Sequence, residues 1–259
     1  MLKEFFTAAL GMQNQQTRLE VTANNMANAS TAGFKRASVF ERNMIDARAN
    51  FYNVKGDVEQ NDPPVGSYYD FTDGAFQQTN NPLDIAIEGK GFFVVQNELG
   101  QDYLTRAGNF KLSTNGEILT MDGKKLMGES GAIKLDEEIM AESQITKDNS
   151  LTNLRIAETG EVFVNDYEVG KLVIADVKNY ESLQRVSNQD FLVTETTDIS
   201  FQNSDEIKIR QGWLEDSNVN IINEMIEMIE LQRMFEAGSK VIQTNDGTLD
   251  KAIGLGRYY

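Results

Sequence analysis

Hydrophobic and polar positions follow two different rules along the chain. From Leu2 to about Met26 apolar residues recur every seven positions, with Phe5, Met12, Leu19 and Met26 on one line and Leu2, Ala9, Gln16 and Ala23 on the line beside it. Such a repeat gathers side chains on one stripe of an α-helix and predicts a seam for another helix. The rule returns towards the C-terminus, where Ile221, Met228, Phe235, Ile242 and Leu249 stand seven apart, flanked by Ile222, Met225, Ile226 and Ile229. That stripe is wider than a two-stranded seam requires, which predicts a helix touching more than one neighbour. Ser217 or Asn218 can cap its start by accepting from the first unpaired backbone N–H groups. Asn245-Asp246-Gly247 predicts a kink, a fray or an early end.

Between the two helices, short runs of β-branched and aromatic residues alternate with Gly, Asn and Asp, the pattern of antiparallel β structure. The runs predict strands over 83–88, 91–96, 102–106, 110–113, 117–121, 154–157, 161–165, 167–177, 191–193 and 206–210. Thr114-Asn115-Gly116 and Asp122-Gly123 supply hairpin-like turns. Residues 37–76 are less regular, and Asp62-Pro63-Pro64-Val65-Gly66 reads as a loop, which predicts an extended connector. The fold class expected is therefore α+β: long N- and C-terminal α-helices forming a coiled-coil-like layer, with a central, mainly antiparallel all-β domain. The division expected is an N-terminal helix over 1–33, a connector over 34–80, a β domain over 81–214 and a C-terminal helix over 215–259.

Composition narrows the function classes. Of 259 residues 40% are hydrophobic and 9% aromatic, with only 3 Pro, which describes a folded chain. Ten Met, several near the ends, suit adaptable packing surfaces. A formal charge of -16 works against nucleic acid or anionic lipid as a partner, and basic residues cluster only in pairs such as Lys35-Arg36 and Lys124-Lys125. With no Cys and no His, the chain can build neither a disulfide, a Cys-zinc site nor an imidazole base. The amphipathic start, Met1-Leu2-Lys3-Glu4-Phe5-Phe6, runs into Gln13-Asn14-Gln15-Gln16 and lacks the apolar run and cleavage site of a secretory signal, so any export is expected without a cleaved signal peptide.

Candidate chemistry is sparse. Gly89-Lys90-Gly91 and Gly254-Leu255-Gly256 lack the spacing and context of phosphate loops and read as turn glycines. Acid pairs such as Asp136-Glu137-Glu138, or Asp70 with Asp73, serve acid–base or metal chemistry only if folding brings them together in a cleft; among 40 acidic residues a solvated face is the simpler reading. No catalytic, cofactor-binding or metal-ligating residue is expected, and Trp213 is expected to pack where the last strand feeds the C-terminal helix. The helical seams suit either a monomeric hairpin or an assembly surface, and assembly is the reading favoured.

Four segments carry a resemblance. Asn24-Asn25-Met26-Ala27-Asn28-Ala29-Ser30-Thr31-Ala32-Gly33-Phe34-Lys35-Arg36 resembles the segment that closes the first helix in the bacterial flagellar rod and hook family. Small and amide side chains there allow close lateral approach of helices, Gly33 can take a left-handed turn, and Phe34 can anchor the exit. The stretch from Asn81-Pro82-Leu83-Asp84 through Gly91-Phe92-Phe93-Val94-Val95 is similar to the family's entry into its β domain, and Tyr103-Leu104-Thr105-Arg106-Ala107-Gly108-Asn109-Phe110 to the hairpin that follows. Ser217-Asn218-Val219-Asn220, Glu224-Met225-Ile226, Gln232-Arg233-Met234-Phe235-Glu236 and Lys240-Val241-Ile242 resemble its C-terminal helix.

The resemblance implies a structural subunit, not an enzyme, of the flagellar basal-body rod, polymerising through its terminal helices into a hollow shaft that transmits torque. A compact β domain favours rod over hook, and the runs at 126–133 and 169–172 favour the proximal rod, with distal rod and hook as alternatives. The implied partners are other copies, other rod and hook proteins and the flagellar export apparatus, with no nucleic acid, small-molecule substrate or cofactor; the implied location is the periplasmic rod of the basal body. The implied assembly interface comprises Leu2, Phe5, Ala9, Met12, Leu19, Ala23, Asn24, Asn25, Met26, Asn28, Gly33 and Phe34 with Ile221, Met225, Met228, Gln232, Phe235, Ile242 and Leu249. Two other classes compete: a secreted β-domain binding module with a helical stalk, and an enzyme acting on cell-wall polymers through a carboxylate pair.

Overall fold

The computed structural model describes residues 2–41, 65–135, 154–165, 167–187, 189–193, 198–201 and 208–256. The fold is α+β, a mainly antiparallel β body with one helix before it and one after it. The described residues divide into two compact units, one drawn from 2–27, 37–41, 65–70 and 220–256 and the other from 28–36 and the described part of 71–219.

In the first unit, helix α1 spans Leu2–Ala27 and helix α2 spans Ile221–Gly256. They run antiparallel: Asn25 bonds Glu224, Arg18 pairs with Glu227, and a Cβ on Gly238 would meet Met12, so partners fall on one chain as they rise on the other. α1 ends at Ala27, six residues before the expected boundary, because the chain turns there, with Thr31 N donating to Asn28 O. α2 is capped by Asn220, whose side-chain oxygen accepts from Ile222 N and Asn223 N, and not by Ser217 or Asn218. It continues without a break through Asn245-Asp246-Gly247, so the expected weak point is a helix interior. The unit also holds an antiparallel ribbon, Ala37–Glu41 on Val65–Tyr69, within the stretch expected to be an irregular connector. Val65 and Gly66 are thus strand residues; Asp62, Pro63 and Pro64 lie outside the described residues, as do Asp136, Glu137 and Glu138.

In the second unit strands such as Phe110–Leu112 and Glu161–Val164 alternate buried with more exposed residues, whereas Ile85–Glu88 and Phe92–Gln96 are buried on both faces. Phe92–Gln96 lies central in a ten-stranded sheet, flanked along one edge by Asp102–Thr105 and along the other by Lys125–Gly128 and Ile174–Val177. Leu154–Ile156, Glu161–Val164 and Tyr167–Lys171 form a separate three-stranded sheet. The expected strand 167–177 is therefore two strands, because Leu172 leaves one sheet to bridge Gly128 in the other. Ile85–Glu88 pairs with Lys208–Gln211, and Phe76–Gln78 with Trp213–Glu215; Gly212, at φ 76°, takes the left-handed corner between the two pairings. Leu83, Ile85, Phe93, Val95, Leu126, Val162, Leu172 and Ile209 meet in one buried cluster, where inward residues of both sheets interdigitate.

Candidate functional site

The residues that follow α1 are part of the β unit. Phe34 and Lys35 are buried, and Gly33, at φ 68°, lies so close to the Arg106–Ala107 backbone that a Cβ there would meet Ala107 N at 2.4 Å. Gly33 N donates to Glu215 O at 2.7 Å, and the Arg185 guanidinium stacks over the Phe34 ring at 4.5 Å while donating to Lys35 O. Only glycine combines that left-handed φ with so close a backbone approach.

Three buried charges converge beneath this strap. Glu215 Oε1 accepts from Lys35 Nζ at 2.6 Å and from Gly74 N at 3.1 Å, and Oε2 accepts from Arg106 Nη1 at 3.2 Å. Lys35 Nζ also donates to Thr72 O at 2.8 Å, and Arg106 to Ile87 O and Gly89 O. Asp73, half-exposed, lies 3.8 Å from Arg106. Desolvation by burial holds the Lys35 ammonium below the usual lysine value, and the Glu215 carboxylate opposes that shift. Lys35 is thus a structural cation inside the fold, not half of a surface basic pair. Beside it, Asn218 Oδ1 accepts from Arg36 N at 2.7 Å and Asn218 Nδ2 donates to Thr72 O at 3.2 Å.

In the helical unit, Asn25 is fully buried. Its amide donates to Ala37 O at 2.8 Å and accepts from Ala37 N at 2.9 Å, as a β-strand neighbour would, and also donates to Glu224 Oε2 at 3.2 Å. The end of α1, the ribbon and the start of α2 are joined through this one side chain. Met12, Leu19 and Met26 are half-buried on α1, whereas Ala23 and Asn24 are exposed; Leu2, Phe5 and Ala9 lie on the same helix and Leu249 on α2. Asn28, in the β unit, is buried.

α2 carries two stripes. Met228, Leu231, Phe235, Gly238 and Ile242 recur at alternating spacings of three and four, are buried or half-buried, and include the glycine that lies against Met12. Ile222, Met225, Ile226 and Ile229 form the second stripe, 69%, 49%, 53% and 51% exposed, with Ile221 and Gln232 exposed as well. Of the residues expected at an assembly interface, Met228, Phe235 and Ile242 lie on the stripe turned towards α1, and Ile221, Met225 and Gln232 on open helix.

A cleft of about 420 Å³ in the β unit is lined by Val94, Met127, Leu172, Ile174, Phe201 and Ile209; of its acids, Asp102 accepts from Gln96 at 2.8 Å and Glu129 pairs with Lys171 at 3.4 Å. Among the described residues no cluster of three or more acids suits a metal ion. Trp213 lies in the strand paired with 76–78, under the Arg210 guanidinium. The sequence carried no signal of the Glu215 cluster or the Asn25 bond, since Lys35 stands beside Arg36 and Glu215 beside Asp216 as surface charges do.

Three family models match the chain in order. One described as flagella basal body rod protein matches 6–35, one as flagellar hook protein FlgE/F/G D1 domain matches 86–164, and one as flagellar basal body rod FlgEFG protein C-terminal matches 210–255. The flagellar basal-body rod protein FlgG of Borreliella burgdorferi is 31% identical over 272 residues, covering 99% of this chain and 100% of that relative. FlgG of Bacillus subtilis is 30% identical over 277 residues with the same coverage. FlgF of Mesorhizobium japonicum is 28% identical over 255 residues, covering 98% of this chain and 97% of the relative.

Proposed function

The chain belongs to the flagellar basal-body rod protein family, and from that premise we propose that it polymerises through its terminal helices into a hollow, torque-transmitting shaft. It is a structural subunit of the flagellar basal body that assembles with copies of itself and with other rod and hook proteins. The observation that carries the polymerisation reading is the second stripe of α2: four large apolar side chains, each about half exposed or more, on the helix face away from α1. Among the described residues no segment covers this second apolar face, and a neighbouring copy supplies a cover by a heterologous contact that repeats into a tube.

A coiled-coil-like layer of the terminal helices α1 and α2, lining the shaft in the assembly, belongs to the same proposal. So do passage through the flagellar export apparatus and a proximal position in the rod, the latter on the runs at 126–133 and 169–172. The test is imaging of basal bodies from cells with and without the gene. The expected result is loss of the rod from the position of this subunit outwards, with restoration by the gene in trans; rods of full length in the deletion strain overturn the reading. The length of rod remaining separates proximal from distal placement.

A further inference from the structure

Four segments far apart in sequence meet at one carboxylate, and a fifth holds its arginine. Lys35 comes from the strap after α1, Thr72 to Gly74 from the start of the β unit, Ile87 and Gly89 from the end of a strand, Arg106 from a hairpin, and Glu215 from the last strand before α2. Lys35 and Glu215 are 180 residues apart and Arg106 and Glu215 are 109 apart. Each of the three charges is less than a twentieth exposed.

We infer that the Glu215 cluster is a closing latch, formed after the rate-limiting step of folding and broken before the β unit can open. A buried ion returns its desolvation cost only when every partner is in place, so a lone Lys35 or Glu215 gains nothing from entering the core early. The loop that must close to unite them is most of the chain, which adds entropic cost to early formation. The hairpins of 92–96 with 102–105 and of 110–112 with 118–120 join residues close in sequence, need neither the strap nor residue 215, and are free to form first. Interactions absent from the transition state slow unfolding without speeding folding. Forced unfolding is governed by the unfolding rate, so the latch holds a subunit closed under load; this consequence rests on the rod reading, whereas the latch itself does not.

Trp213, two residues from Glu215 and the single tryptophan of the chain, reports closure by its fluorescence. In full-length protein, Glu215→Gln is expected to raise the unfolding rate on the order of 10²- to 10³-fold while the folding rate stays within about twofold. Lys35→Met, which leaves Glu215 its Arg106 and Gly74 partners, serves if Glu215→Gln fails to fold, and is expected to raise the unfolding rate by about tenfold or more, again at near-constant folding rate. A fall in folding rate that accounts for most of the lost stability, or an unfolding rate unchanged in both variants, overturns the latch. Cells carrying the variant that folds are then swum in media of rising viscosity, where earlier loss of motility than in the parent strain is expected. Faster unfolding in vitro with unchanged load tolerance overturns the mechanical consequence and leaves the latch standing.

Discussion

The two units use their apolar residues in opposite ways. The five-residue strand Phe92–Gln96 buries four of its side chains, whereas among the described residues of the 36-residue helix α2 only Glu224 and Leu231 are buried. The β unit closes over its own core and fastens even its charged groups inside, as at Glu215. Among the described residues the helical unit pairs α1 with α2 along one stripe and leaves a second stripe open. An element whose apolar surface exceeds what its own chain covers gains its stability from neighbours, while a β body with a filled core does not depend on them. One chain thus carries a folded body and an incompletely satisfied pair of helices, the division of labour expected of a subunit that becomes mechanically complete only in an assembly.

The sharpest way to break that contrast is Ile226→Asp. In the assembly each copy forfeits about 1.5–3 kcal/mol of apolar burial and meets a carboxylate desolvation cost of several kcal/mol more, multiplied over every subunit. Motility and rod incorporation are expected to vanish, while the thermal midpoint of the free protein's β unit stays where it was. Retained motility refutes the open stripe as an interface, and a shifted midpoint refutes the independence of the two units.

Phe93→Ala tests the other side. Phe93 is fully buried and meets Phe110 edge-on at 5.3 Å. Its truncation is expected to cost about 3–5 kcal/mol in urea denaturation followed by Trp213 fluorescence, with α2 helicity in the free chain unaffected. A loss below about 1 kcal/mol would mean that the sheet core collapses around the gap more readily than a close-packed interior does.

Gly247→Ala probes the helix alone. Nothing lies within 4 Å of a Cβ placed there, so the methyl group adds helix propensity of about 0.8–1 kcal/mol without a clash. Higher helical ellipticity and slower exchange of amides around 247 are expected, with no change in the β unit. Lower helicity would show that the helix needs a glycine at this point.

The smallest effect is a pH dependence. Because burial lowers the folded-state pKa of Lys35 below 10.5, the unfolded chain keeps a proton that the folded chain has released between that lowered value and 10.5. Stability contributed by this group therefore rises with pH across that window, and below it the desolvation cost is present in full. Denaturation curves at increasing alkaline pH should show a less positive slope for Lys35→Met than for the parent protein. Identical slopes would show that Glu215 cancels the effect of burial.

Periodicity carried most of the secondary structure. Seven-residue spacing marked both helices, and β-branched runs between Gly, Asn and Asp marked many of the strands from 85–88 to 208–211, because these patterns report local geometry that each segment satisfies by itself; Lys125–Gly128, Gly131–Ala132, Gln184–Arg185 and Ile199–Phe201 carry no such run and were not expected. Boundaries that depend on a distant partner were not legible. Residues 37–41 and 65–69 do not alternate strongly, and they are strands because they pair with each other. The strap 28–36 read as the end of a helix, and it belongs to the β unit because Phe34 and Lys35 are buried there.

The sequence by itself determined the α+β class, the helical ends, the antiparallel middle and, through four ordered segments, the family. Tertiary structure alone decided that Lys35 is an interior cation, that Asn25 acts as a strand neighbour of Ala37, and that Asn220 caps α2. It also decided which of the two apolar stripes of α2 turns towards α1 and which stays open. Period and propensity are properties of neighbouring residues, whereas burial, ion pairing and face selection depend on groups that meet only after the chain has closed loops of more than a hundred residues.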